Sequence, residues 1–163
     1  MSRSSRVLFL GGWTLALLGM SYGLWYALFD EHQTLEQMGS SLAESFVHAA
    51  DGDLPTAHMA LKHYADTQAE YVREVHAHGH WIVLAMVMIA LGLVFDRVAL
   101  SEKVRYTTAW LMCAGSAAFP LGVLLGNVPM IIPASLANGL AMVGAAAVIL
   151  ALALTAIGML RNP

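Results

Sequence analysis

Apolar and polar positions divide the chain into four long apolar runs, one long polar segment and two short connections. The apolar runs cover about residues 7–29, 79–95, 106–126 and 134–160. A helix rises about 1.5 Å per residue and the hydrocarbon core is about 30 Å thick, so runs of about 17 to 25 residues can cross it. The pattern predicts an all-α integral membrane protein with four transmembrane helices, forming a single membrane domain over residues 1–163.

The polar segment, residues 30–78, contains two helical patterns. Apolar side chains recur at helical spacing first in Leu35, Met38, Leu42 and Phe46, and then in Leu61, Tyr64, Val72 and Val75. The run Asp51–Pro55 separates them, with Asp53 as the expected N-cap and Pro55 in the first turn. Between the second pattern and the second span, Gly79 alone interrupts. We therefore expect helices 1 and 2 to extend into an antiparallel hairpin outside the bilayer.

The basic residues indicate the orientation. Six of them lie at one set of span ends, namely Arg3, Arg6, Arg97, Lys103, Arg105 and Arg161. Lys62 and Arg73 are the two on the other side. Because cytoplasmic loops are enriched in Lys and Arg, both termini are predicted in the cytoplasm and the hairpin outside. We expect a multi-pass protein of a bacterial inner (plasma) membrane, with nine of the 11 acidic residues and all seven histidines on the periplasmic side.

Composition supports this picture and limits the chemistry. The chain is 58% hydrophobic and 12% charged, whereas soluble domains carry about 25% charged residues. Its one cysteine, Cys113, excludes an intrachain disulfide and a cysteine-based zinc motif. The chain has no basic patch for nucleic acid, and the expected partner is the lipid bilayer.

Small residues recur at four-residue spacing in spans three and four. They form the rows Ala114, Ala118, Gly122, Gly126 and Ala137, Ala141, Ala145, with Ser135 and Gly139 as a shorter pair. Such rows favour close helix packing within the chain, with a homo-oligomer or contacts to other membrane subunits as the alternative.

The strongest chemical signal is a set of alternate histidines, His76, His78 and His80, where the polar segment meets the second span. If the hairpin turns at about Gly52–Asp53, residues whose numbers sum to about 106 lie at the same height. This register places His48 opposite His58, Glu36 near Glu70, and His32 near Glu74 and His76. The predicted metal-binding set is His32, Glu36, Glu70, Glu74, His76, His78 and His80. Imidazole and carboxylate ligands suit Cu, Zn or Fe. A possible second site consists of Glu44, His48, His58 and His63.

The same boundary histidines permit haem b. Two histidines on neighbouring helices can hold the iron axially, so His32 could face His76, His78 or His80. Spans three and four contain no histidine, which restricts any haem to the outer edge of the membrane. Two other interpretations stay open: polar side chains at headgroup level beside Trp81, and a pH sensor that works by histidine protonation.

The elements His76–His80, Leu100–Arg105 and Phe119–Gly126 resemble those of a group of small bacterial four-helix membrane proteins that open a span with His-x-His. The likeness covers roughly residues 76–160 and implies no activity. His-Ala-His at a helix start is also faintly similar to haem-ligating helices of the haem–copper oxidase superfamily. The remaining histidine pattern of that superfamily is missing here, so its chemistry is not transferred.

Together these patterns predict a membrane protein that binds a transition metal or haem b at its outer boundary, for electron transfer, metal handling or sensing. The alternative function is a non-catalytic accessory or assembly subunit of a larger membrane complex. The sequence assigns no catalytic residue.

Overall fold

The computed structural model describes residues 1–126 and 132–161, and these residues form helices without a strand. The five α-helices are α1 (Arg3–Phe29), α2 (Glu31–Ala50), α3 (Leu54–Val94), α4 (Glu102–Leu125) and α5 (Ala134–Leu160), with a short 3₁₀ helix at Phe95–Arg97. α1, α3, α4 and α5 are each long and apolar enough to cross a membrane. The prediction of an all-α protein with four apolar candidate spans is therefore confirmed.

The helix boundaries follow local chemistry. Asp30 alone separates α1 from α2, and its N–H still bonds to the Tyr26 carbonyl (3.0 Å). Between α2 and α3 the chain turns at Gly52, whose φ of +79° is accessible to glycine at little cost. Asp53 then accepts the Thr56 N–H at 3.3 Å, as expected of an N-cap. Hydrogen bonds from Thr56 also lower the pKa of the Asp53 carboxyl.

α3 is continuous from the polar segment into the apolar one, because Gly79 does not break it. Phe119-Pro120 in the third apolar run predicts an interruption of that span. The prediction is wrong, since Pro120 lies inside α4. Proline is tolerated in membrane helices, where neighbouring groups satisfy the freed carbonyl. The run Asn127–Pro133 between the third and fourth apolar runs predicts a tight turn, most of which lies outside the described residues.

The chain packs as two compact units, Met1–Met20 with Ala77–Pro163, and Ser21–His76. We call the first the bundle unit and the second the polar unit. The bundle unit has one apolar core to which α1, α3, α4 and α5 all contribute. Its buried residues are Leu8, Leu15, Ala85, Met88, Phe95, Val98, Ala109, Met112, Val148 and Ala151.

Glycines permit close helix contact in the bundle unit. A Cβ on Gly12 would lie 2.9 Å from the Ala85 oxygen, and one on Gly144 would lie 2.5 Å from the Phe119 nitrogen. Gly122 of α4 lies similarly close to the backbone of α5 at Ala141. Part of each predicted small-residue row thus lies in the α4–α5 contact, whereas a Cβ on Gly139 would meet open space.

At one end of the bundle unit the N-terminal serines hold Asp96. The Ser5 hydroxyl donates to the Asp96 carboxylate at 2.6 Å, and the Ser2 N–H donates to it at 3.1 Å. These bonds favour the ionised form, and with the Ser2 hydroxyl they lower the pKa of Asp96 to about 2. These hydrogen bonds join the start of α1 to the 3₁₀ helix that follows α3.

Candidate functional site

Two of the boundary histidines belong to the bundle unit, and each has a defined neighbour. The His78 Nδ1 lies 2.9 Å from the Gly19 carbonyl oxygen of α1. Since a carbonyl can only accept, Nδ1 carries the hydrogen and a neutral ring keeps its lone pair on Nε2. The His80 ring lies 4.9 Å, centroid to centroid, from the Phe119 ring of α4.

The histidines of the predicted second site make separate contacts within the polar unit. The His48 Nδ1 lies 3.6 Å from the Asp53 carboxylate, and the His63 Nδ1 lies 3.1 Å from the Thr67 hydroxyl. His58 lines an apolar cavity together with Ser45 of α2. His48, which the predicted register pairs with His58, does not line that cavity.

Across residues 1–126 and 132–161, no three His, Cys, Asp or Glu side chains are grouped so that they could hold a metal ion. His32 and Glu36 are exposed on α2, and His76 is exposed on α3. Both metal-binding sets therefore stay predictions. The acidic members of the first set, Glu70 and Glu74, lie beside a polar cavity instead.

Glu70 and Glu74 line a polar cavity of about 170 Å³ within the polar unit. We call it the acidic pocket. Its lining consists of Tyr26, Asp30, Gln33, Thr34, Gln37, Thr67, Glu70, Tyr71 and Glu74. Three carboxylates, two amides and four hydroxyls thus surround the space, and no basic side chain lines it. Such a lining carries negative charge and many hydrogen-bond acceptors, which suits a cation.

Tyrosines position the carboxylates around the acidic pocket. The Tyr22 hydroxyl donates to the Glu74 carboxylate, and the Tyr71 hydroxyl donates to Glu31 at 3.4 Å. Asp30 stands at the N-cap position of α2, but its side chain makes no capping hydrogen bond. The Asp30 carboxylate therefore accepts no hydrogen bond from the N–H groups that begin α2.

Tyr26 is the one buried tyrosine of this group, with 7% of its surface exposed. Its hydroxyl has no hydrogen-bond partner among the described residues. Thr34 lies beside it, but the Thr34 hydroxyl donates to the Asp30 carbonyl at 3.0 Å. A buried hydroxyl without a partner costs about 1 to 3 kcal/mol, so this group marks a place where a partner is missing.

Glu70 and Glu74 belong both to the predicted metal-binding set and to the acidic pocket, whereas the sequence-based predictions do not include the residues on the side of the pocket formed by α1. The sequence does contain a pattern that points to this side of the pocket: Tyr22, Tyr26 and Asp30 recur every fourth residue and so share one helix face. The tyrosines lie in an apolar run, which favours an interpretation as membrane-interface residues.

Comparison of the chain with protein-family models, with curated proteins and with solved structures finds no match. The likeness to small four-helix membrane proteins stays a resemblance of motifs. Function must therefore be inferred from the residues themselves.

Proposed function

We propose that the protein spans the membrane four times, with both termini in the cytoplasm and residues 30–78 forming a hairpin outside. Four helices of sufficient length and apolarity support the number of spans. The distribution of Lys and Arg, six at one set of span ends and two at the other, supports the orientation. The short turn at Asp51–Asp53 and the cavities shared by α2 and α3 support a hairpin.

Cysteine labelling tests this orientation. Ala50 ends α2 and Ala99 lies between α3 and α4, and both are exposed. In a Cys113→Ala background, we expect Ala50→Cys to react with a membrane-impermeant maleimide added to intact cells. Ala99→Cys should react only after the membrane is permeabilised. The reverse pattern would contradict the proposed orientation.

We propose that the function of the protein is to bind a cation at its outer boundary. The observation that carries this proposal is the acidic pocket, where Asp30, Glu70 and Glu74 meet without a basic side chain. Carboxylates gathered around one cavity repel one another, and a cation between them relieves that repulsion. All the lining residues except Tyr26, which lies near the outer end of span one, belong to the segment that the proposed topology places outside, so the ligand would arrive from that side.

A transition metal or haem b at the histidines is a second candidate, and one observation favours it. The hydrogen bond from His78 Nδ1 to the Gly19 carbonyl fixes the ring and directs the Nε2 lone pair away from that bond. Ligating histidines commonly carry such a second hydrogen bond, which orients the ring and raises its basicity. His76 and His80, with His32, would supply further nitrogen ligands.

Metal analysis and an absorption spectrum test this second candidate. Protein purified in mild detergent should contain stoichiometric metal, or show the Soret band of haem. Replacing His76, His78 and His80 together with alanine should abolish the bound species, because it removes the nitrogen ligands. His58→Ala is the matched control, since His58 lies near the start of α3 and outside this predicted ligand set. A colourless and metal-free preparation would exclude this candidate.

The accessory-subunit alternative also has a specific observation. Large apolar side chains remain exposed where α2 ends and α3 begins, at Phe46, Leu54, Met59 and Leu61. In the proposed topology they lie outside the bilayer, where lipid cannot cover them. Apolar patches in water commonly mark contact with a partner protein. Co-purification of one membrane subunit at fixed stoichiometry, lost in Phe46→Lys, would favour this function.

A further inference from the structure

The acidic pocket is suited to a larger cation than a bare metal ion. Its volume of about 170 Å³ compares with about 30 Å³ for a water molecule in the liquid, so it holds about six groups of that size. A metal ion needs several ligands within about 2.0 to 2.6 Å of one point. No three acidic or histidine side chains among the described residues meet that requirement.

The carboxylates come from two different parts of the chain. Glu70 and Glu74 are one turn apart on α3, while Asp30 lies between α1 and α2. Side chains one turn apart on a helix have Cβ atoms about 5 to 6 Å from one another. A ligand that carries two charges on a short flexible chain can pair with two of these carboxylates at once, each through a charge of its own.

The remaining lining indicates the chemical type of each charge. An ammonium group has three N–H donors and no acceptor, and the acidic pocket offers carboxylate, amide and hydroxyl oxygens as acceptors. The Tyr26 hydroxyl is an independent indication, because it is buried and unpartnered within the described chain. Of the groups around it, Asp30, Thr34 and Tyr71 line the pocket, and Glu31 does not.

We infer that the acidic pocket binds a small organic cation with two amino groups, of the aliphatic diamine class. This inference rests on the proposed function and specifies its ligand. One ammonium group pairs with Asp30 and donates a further hydrogen bond to the Tyr26 hydroxyl oxygen. The other ammonium group pairs with Glu70. The aliphatic chain between them lies in the part of the cavity that the tyrosine rings line.

Isothermal titration calorimetry on the full chain in mild detergent at low ionic strength tests the inference. The probes are 1,4-diaminobutane, 1-aminobutane, ZnCl₂ and CuCl₂. We expect saturable 1:1 binding of 1,4-diaminobutane. The monoamine has the same carbon chain with one charge fewer, and we expect it to bind about tenfold more weakly.

Three variants locate the binding. Tyr26→Phe removes one hydroxyl and Glu70→Gln removes one charge, and each should weaken diamine binding about tenfold. Asp66→Asn is the matched control: it removes a charge one turn before Glu70 on α3 and does not line the pocket. Circular dichroism of each variant establishes that the helices are retained. Equal diamine affinity in all four proteins would overturn the inference.

The outcomes separate the inference from the proposed function. Binding of Zn²⁺ or Cu²⁺, lost in Glu70→Gln, without binding of the diamine would overturn the inference and retain the cation-binding function. Equal affinity for the diamine and the monoamine would overturn the pairing of two ammonium groups with two carboxylates. Absence of binding for all four probes would overturn both proposals.

Discussion

Replacing Gly144 with alanine is expected to lower the free energy of unfolding of the protein by about 3 kcal/mol, the upper end for overpacked sites. The added Cβ would lie 2.5 Å from the Phe119 nitrogen and 2.8 Å from its Cα. These atoms belong to the backbone of α4 and cannot rotate away. α4 and α5 would therefore have to separate along their contact, with loss of packing on both sides.

Gly139→Ala is the matched control, because it makes the same change on the same helix. A Cβ there meets no atom within 4 Å, and alanine favours a helix over glycine by up to about 1 kcal/mol. We expect no loss of stability in this variant. The measurement is reversible unfolding in mixed micelles with increasing SDS, followed by circular dichroism. Equal losses in both variants would contradict the close α4–α5 contact.

Neutralising the acidic pocket is expected to abolish the stabilisation of the protein by cations. In the Asp30→Asn, Glu70→Gln, Glu74→Gln variant the side chains keep their size and lose their charge. A ligand present at 100 times its dissociation constant stabilises the folded protein by about 2.7 kcal/mol. For a chain of this length that corresponds to a rise in melting temperature of about 5 °C or more.

The same variant separates binding from folding. Three nearby carboxylates repel one another when no cation is present, so their neutralisation should leave the melting temperature of the ligand-free protein unchanged or raise it. A large fall without ligand would mean that these carboxylates stabilise the polar unit itself. The Tyr22 hydroxyl can still donate to the side-chain oxygen of glutamine at position 74.

Much of the fold follows from local patterns in the sequence. The apolar runs predict α1, α3, α4 and α5 because length and apolarity suffice for a membrane helix. The start of α3 is equally local, since the Asp53 side chain caps its own helix. Pro120 is the exception: the sequence predicts a break, but the surrounding bundle maintains α4 as one helix.

The candidate site was less predictable, because it depends on how helices pair. A register measured from the turn at Gly52 places Glu36 opposite Glu70, whereas in the structure Gln33 and Gln37 line the acidic pocket with Glu70. Which side chains face each other depends on the rotation of each helix about its axis as well as on the register, and the sequence pattern does not give that rotation. The place of Tyr26 in the acidic pocket was also not predictable from the sequence. Its burial and its unpartnered hydroxyl are properties of packing, which a sequence pattern does not contain.

The central claim is that the polar unit binds a cation through the carboxylates of the acidic pocket. Thermal melting of the detergent-purified protein with and without saturating 1,4-diaminobutane, and separately with ZnCl₂, tests it most directly. We predict that at least one cation raises the melting temperature of the native chain by about 5 °C, and that neither raises it in the variant with three neutral side chains. An equal rise in both proteins, or no rise in either, would contradict the claim.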